Sequence, residues 1–250
     1  MISAAAHLGR LLGNQLYNVA FPIYRPLYGA FKAYSDRAER RLLSSHLSRG
    51  CVVVDAGANI GIYSKFLSRC VGPSGLVHSF EPAPDNFARL RAALADFPNV
   101  RLNQVAVGAR TGDGILYVSD MLNVDHRAYP SQEEESRKTL PIQTIRLDDY
   151  FKHGGRVDLI KMDIQGFELH ALQGAQRTLA DNPEVKLLLE FWPYGLAQAG
   201  GSPEALISFL ENHGLRAFVP RNSGLVQYDL SMSNPSDPTS YFNLFAEKCI

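Results

Sequence analysis

Cysteine is scarce, with only Cys51, Cys70 and Cys249 in 250 residues. Their odd number, with no CxxC pair and no His-rich cluster, argues against a disulfide framework or a zinc site, and a reducing cytoplasm is the compartment expected. Excess charge is absent too, since 25 Lys and Arg balance 25 Asp and Glu. Without a net positive surface there is no global field to hold nucleic acid, so no such partner is expected. Long apolar runs are also missing. The longest uncharged stretch is the 14 residues between Arg10 and Arg25, and it contains Asn14, Gln15, Asn18 and Pro22, whereas a spanning helix needs about 20 apolar residues. No transmembrane segment and no secretory leader are expected. What is present, 46% apolar and 20% charged residues, suffices for a sizeable core.

Apolar residues recur at helical spacing over 3–19 and 26–47, interrupted by Pro22 and Pro26, which predicts an N-terminal helical arm over 1–49. Charge is uneven here. The first fifth carries Arg10, Arg25, Lys32, Arg37, Arg40, Arg41 and Arg49 against Asp36 and Glu39. From residue 50 the pattern changes to short apolar runs without alternation, the mark of strands buried on both faces. They fall at 51–56, 76–80, 100–107, 157–162 and 185–191, separated by helical stretches at 60–70, 84–96, 167–180 and 203–213. Strands alternating with helices predict an α/β domain over 50–250, a parallel sheet with helices on both faces. β-rich runs at 215–220 and 241–247 close the chain. Between 108 and 145 the rhythm lapses into an insert with β-rich runs at 115–119 and 140–145, long for a connection and of the kind that often binds ligands.

The turn Asp55-Ala56-Gly57-Ala58-Asn59-Ile60-Gly61 leaves the first core strand and opens a helix, where such sheets bind nucleotides. A dinucleotide fingerprint needs glycine at the first, third and sixth positions so that backbone can approach a pyrophosphate. Counted from Gly57, those positions hold Asn59 and Ile62. Asp55 adds a carboxylate that repels phosphate and attracts a cation, so the turn suits S-adenosylmethionine, which carries a sulfonium and no phosphate. Glu81, at the end of the second strand, is placed to accept hydrogen bonds from ribose hydroxyls. Adenine is expected against the segment 103–106, with Asn103, Gln104 and Ala106 as contacts.

Several ordered motifs then carry a resemblance: Val-Val-Val-Asp-Ala-Gly-Ala-Asn-Ile-Gly at 52–61, Ser-Phe-Glu-Pro at 79–82, Ala-Val-Gly at 106–108, Val-Asp-Leu-Ile-Lys-Met-Asp-Ile-Gln-Gly-Phe-Glu at 157–168 and Leu-Leu-Leu-Glu at 187–190. Over about 50–191 the chain resembles the FkbM-family methyltransferases. The resemblance implies a Rossmann-like, seven-stranded class I methyltransferase sheet, S-adenosylmethionine as cofactor, and O-methylation of a sugar, glycan or secondary metabolite. One departure stands out. Where the family usually reads Asp-x-Glu-Gly, this chain has Asp163-Ile164-Gln165-Gly166, so a second carboxylate that could help hold a metal is missing, and no metal is expected.

Methyl transfer to an alcohol needs a positioned donor and acceptor and a base for the acceptor's proton. Asp163, at the end of the strand 157–162, is expected to face the methyl. Lys161 shares its strand face and reads as the partner of a neighbouring carboxylate. In the insert, His126 stands between Asp125 and Arg127, and a neutral imidazole is well suited as a base near neutral pH. We therefore read His126 and Asp163 as catalytic, and Asp125, Arg127, Glu190 and Trp192 as acceptor contacts. Two other readings exist. An NAD-type oxidoreductase is disfavoured by Asn59, Ile62 and Asp55. A non-catalytic module would act through its basic arm at an anionic membrane or a partner. The arm's Tyr17, Phe21, Tyr24, Tyr28 and Phe31 fit better as a cap over the cofactor cleft or as a homo-oligomer contact.

Overall fold

The structure is a computed structural model that describes residues 16–17, 19–119, 126–130 and 137–248. Its main sheet runs β10-β9-β11-β8-β7-β1-β2-β3. The strands are β1 (Val52–Ala56), β2 (Leu76–Phe80), β3 (Val100–Asn103), β7 (Leu159–Met162), β8 (Lys186–Phe191), β9 (Leu215–Arg221), β10 (Gly224–Gln227) and β11 (Phe242–Lys248). The five central strands from β3 to β8 are parallel, and β11 and β9 close the edge antiparallel. The count is eight rather than seven among the described residues, because the short β10 folds back on β9 as an extra edge strand.

The unalternating apolar runs have the cause expected. Val53, Leu159 and Leu188 face one buried cluster with Leu67 and Phe245, while Val54, Ile160, Leu187 and Leu189 face another on the opposite side. Both faces of β1, β7 and β8 are covered, so they are mainly apolar and a polar residue there must be paired.

Three expected elements differ in detail. The strand expected over 100–107 divides: after β3, Asn103 Nδ2 turns back to Ser79 O at 3.2 Å. The chain then starts β4 (Ala106–Val107), which joins a second, three-stranded sheet with β5 (Gly112–Val118) and β6 (Lys138–Ile145). The helix expected over 167–180 is two, Glu168–Gln173 and Gln176–Asp181. A Cβ on Gly174 would lie 2.1 Å from Gly108 O, so the backbones meet there. The Asp148 carboxylate then caps the new helix at Thr178 N, 2.8 Å away. Finally, Pro22 and Pro26 do not break the N-terminal helix Phe21–Ser35. Pro22 occupies its first turn, where no N–H is needed, and Pro26 is carried inside. The break falls at Asp36 instead, before the helix Arg37–His46.

That first helix lies over the glycine turn. Tyr17 and Tyr24 pack on Ile60, and Arg89 sits 3.5 Å above the Tyr17 ring.

Candidate active site

Parallel strands end at one edge, so β1, β2, β7 and β8 deliver their following residues to a common place. A cavity of about 520 Å³ opens there. It brings together nine expected residues: Gly57, Asn59, Glu81, Ala106, His126, Arg127, Asp163, Glu190 and Trp192. Gly57 (φ 77°), Asn59 (φ 49°) and Gly61 (φ 86°) give the turn a left-handed course. Gly57 is further constrained, because a Cβ would come within 1.9 Å of Asp163 O.

Glu81 is 5% exposed. Its Oε2 accepts the Asn59 N–H and its Oε1 the Ala83 N–H, both at 2.9 Å. Burial pushes its carboxyl up to about 7, against the pull of those two amides. The Asn86 side chain donates to it as well.

Asp55 is placed differently from the other turn residues. It is fully buried behind the cavity wall. The sheet register sets it beside Lys161 on β7 and Ser79 on β2. Lys161 Nζ is 3.1 Å from its Oδ1, and Ser64 Oγ donates to its Oδ2 at 2.6 Å. The cation that Asp55 attracts is therefore Lys161, and Asp55, expected to bind the cofactor, does not line the cavity. Gly61 caps the helix Ile62–Val71. Asn103 and Gln104 do not line the cavity; Val105 and Ala106 do. Asp125 lies outside the described residues.

In the same cavity, Gln165 (φ 58°) holds two carboxylates. Its Nε2 donates to Asp163 Oδ1 at 3.1 Å and to Glu190 Oε2 at 2.8 Å. Burial would raise the Asp163 carboxyl, but Lys161 and Lys32 outweigh it and hold Asp163 below its ordinary value. Burial, with repulsion from Asp163 and Glu168, pushes Glu190 well above its own. Of the two, Asp163 is thus the stronger acid and Glu190 the one that holds its proton more tightly. Beneath them the buried Glu168 accepts the Ile164 N–H at 3.0 Å, and burial raises it to about 8.

The insert reaches the cavity through a backbone pairing of Arg127 with Tyr117. His126 lines the wall, its Nδ1 3.4 Å from Ser119 N. The Arg127 guanidinium lies 4.8 Å over Trp192, whose indole N–H donates to Pro238 O at 3.0 Å.

Tyr28 and Phe31, expected as part of a cap over the cleft, do line it, whereas Lys32 beside them carries no local signal in the sequence. Tyr28, Phe31 and Lys32 come from the N-terminal helix. Lys32 pairs with Asp36 at 2.7 Å. Burial would lower its ammonium, but Asp163 and Asp36 outweigh that and raise it. Tyr129 fastens the insert by donating to Gln165 O at 2.6 Å. Neither Lys32 nor Tyr129 stands in a recognisable motif.

Among the described residues, no three His, Cys, Asp or Glu gather as metal ligands, and no helix is long and apolar enough to cross a membrane.

The donor set fits S-adenosylmethionine. Glu81 presents carboxylate oxygens for ribose hydroxyls, Val105 and Ala106 offer an apolar wall for a base, and the turn lacks the glycines a pyrophosphate needs. Comparison with known proteins agrees. The profile of the family described as "Methyltransferase FkbM domain" matches residues 55–217. The 2-O-methyltransferase NoeI of Sinorhizobium fredii is 30% identical over 216 residues, covering 80% of this chain and 86% of its own. Methyltransferase 1 of Beauveria bassiana is 27% identical over 159 residues, covering 54% of this chain, which spans 64% of that relative's length. In fold, the chain is similar to a crystal structure from Clostridium thermocellum described as a candidate rRNA methylase. The TM-score is 0.50 at 15% identity, over 85% of this chain and 94% of that one.

Proposed function

The chain belongs to the FkbM methyltransferase family, and from that premise we propose that it is an S-adenosylmethionine-dependent O-methyltransferase acting on a hydroxyl of a sugar, glycan or other small metabolite in the cytoplasm. The observation that carries the reading is one cavity lined by Glu81, His126, Asp163 and Glu190 together. Oxygen as the accepting atom is supported by the likeness to a 2-O-methyltransferase.

When bound, S-adenosylmethionine supplies an electrophilic methyl on a sulfonium. Glu81 binds the ribose hydroxyls, and the Gly57 to Ile60 turn lies along the same ligand. Val105 and Ala106 wall the base. Asp55 and Lys161 brace the turn from behind. The anionic Asp163 lies where it can favour a sulfonium and orient an acceptor hydroxyl. His126 takes that hydroxyl's proton at Nδ1, giving up its 3.4 Å bond from Ser119 N, as the oxygen attacks, and a positioned base of this kind contributes about 10²- to 10⁴-fold. Glu190, carrying its proton, donates a hydrogen bond to the acceptor. Arg127 on Trp192 forms a flat, partly apolar wall suited to a sugar ring.

A labelled-donor screen against glycans and small metabolites, read by mass spectrometry, tests this. Transfer of the label to oxygen is expected. Binding of NADH without binding of S-adenosylhomocysteine would instead restore the oxidoreductase reading.

A further inference from the structure

The helix Phe21–Ser35 has two apolar faces. One, with Tyr24, rests on Ile60 beside the glycine turn. On the other, Val19, Ile23, Leu27, Phe31 and Tyr34 follow one another at helical spacing and are 87%, 58%, 59%, 62% and 71% exposed. An ordinary surface helix turns charged and polar residues outward. Here an unbroken apolar ridge is turned outward, and among the described residues nothing packs over it.

Free charge beside the ridge is positive. Arg37 stacks 4.7 Å over the Tyr34 ring and is exposed, and Arg41 follows one turn later, also exposed. The nearby acids are engaged. Asp36 is neutralised by Lys32 at 2.7 Å and also bonded by Tyr63 at 3.0 Å, while Glu39, turned to Asn243 at 3.1 Å, keeps its charge but is outnumbered by Arg37 and Arg41.

We infer that this ridge docks the protein on an anionic lipid bilayer, with Val19, Ile23, Leu27, Phe31 and Tyr34 in the interfacial layer and Arg37 and Arg41 among the headgroups. A bilayer asks for an apolar line flanked by cations, and it needs no matching shape. A stable protein interface takes about 20–30 residues a side, far more than one ridge of five supplies, which disfavours a second copy as the occupant. The ridge also runs onto the cavity. Phe31 belongs to both, and Tyr241, 60% exposed, lines the same mouth. Docking therefore sets the mouth at the membrane surface. The docking stands on the helix alone; its consequence, an acceptor met at that surface, rests on the proposed methyl transfer.

Flotation of the full chain with phosphatidylglycerol vesicles and with pure phosphatidylcholine vesicles tests the inference without any assay of methyl transfer. Binding to phosphatidylglycerol is expected, weakened by salt and reduced at least about tenfold in Ile23→Ser/Leu27→Ser and about tenfold in Arg37→Gln/Arg41→Gln. S-adenosylhomocysteine affinity, unchanged in both variants, checks that they fold. As a second readout, Tyr34→Trp should show a blue-shifted emission on vesicles. Absence of flotation, or equal flotation of wild type and Ile23→Ser/Leu27→Ser, would overturn the inference. A concentration-dependent dimer dissolved by the same double substitution, with no vesicle binding, would assign the ridge to a second copy.

Discussion

The pH dependence of donor binding offers the sharpest check on the role of Glu81. Its carboxyl is buried and titrates at about 7, while ribose hydroxyls are bound best by the ionised form, which only accepts. If only that form binds, the competent fraction is about one tenth at pH 6 and about nine tenths at pH 8, so affinity should be about tenfold weaker at the lower pH. Glu81→Gln keeps the shape and removes the charge. Two bonds to a charged acceptor become neutral ones, costing about 2 kcal/mol together, or roughly thirtyfold. The amide NH2 would also meet a backbone N–H donor, from Asn59 or Ala83. Calorimetry of S-adenosylhomocysteine across that pH range, in buffers of different ionisation enthalpy, reads both affinity and proton release. The variant should bind weakly with no slope between pH 6 and 8. Stability follows the same group. An unfolded glutamate ionises near 4.5, so between 4.5 and about 7 the folded state keeps a proton the unfolded chain has lost. The ligand-free protein should therefore lose stability from Glu81 as pH rises through that window, by about 3 kcal/mol in total. A wild-type affinity that is flat from pH 6 to 8, or a Gln variant that binds as tightly as the parent, would refute the assignment.

Lys32→Met removes one of the two cations that hold Asp163 low. The Asp163 carboxyl should rise, and the loss of activity on acidification should set in at a higher pH than in the parent. An unshifted onset would separate Lys32 from Asp163. His126→Ala should lower kcat about 10²-fold with donor affinity intact, whereas a larger loss in Asp163→Asn together with sensitivity to chelators would transfer the proton's management to a metal-assisted route. Gly57→Ala forces a side chain onto a backbone at φ 77° and to within 1.9 Å of Asp163 O. It should cost about 3 kcal/mol or more and lower the melting temperature by roughly 6–12 °C; a melt within a degree of wild type would contradict the close approach. Exchanging the insert over 119–139 should change acceptor preference and leave donor affinity as it is.

Much of this could be read in the chain because its signals are local. The run 52–61 shows a doubly buried strand entering a turn, Glu81 and Asp163 each follow a parallel strand, and Glu190 is the next-to-last residue of another. Parallel strands end at one edge, so residues far apart in number were expected to meet, and they line one cavity. The period of two likewise put Lys161 on the face of its neighbouring carboxylates. Orientation was harder to read. Asn103 bonds back to Ser79 O, and Asp55 points into the sheet toward Lys161 because the register of β1 on β7 places them side by side. The two short helices in place of one over 167–180 depend on Gly108 and Asp148, neither of them near in sequence.

The sequence by itself therefore determined the α/β class, the turn that refuses a pyrophosphate, and the carboxylates at the strand ends, since each rests on residues adjacent in the chain or on a strand's period. Only the tertiary structure decided that Lys32 walls the site, that Gln165 joins Asp163 to Glu190, and which of the two acids holds its proton more tightly. Those outcomes depend on burial and on charges brought within a few ångströms by packing, and distances of that kind exist only once the chain has folded.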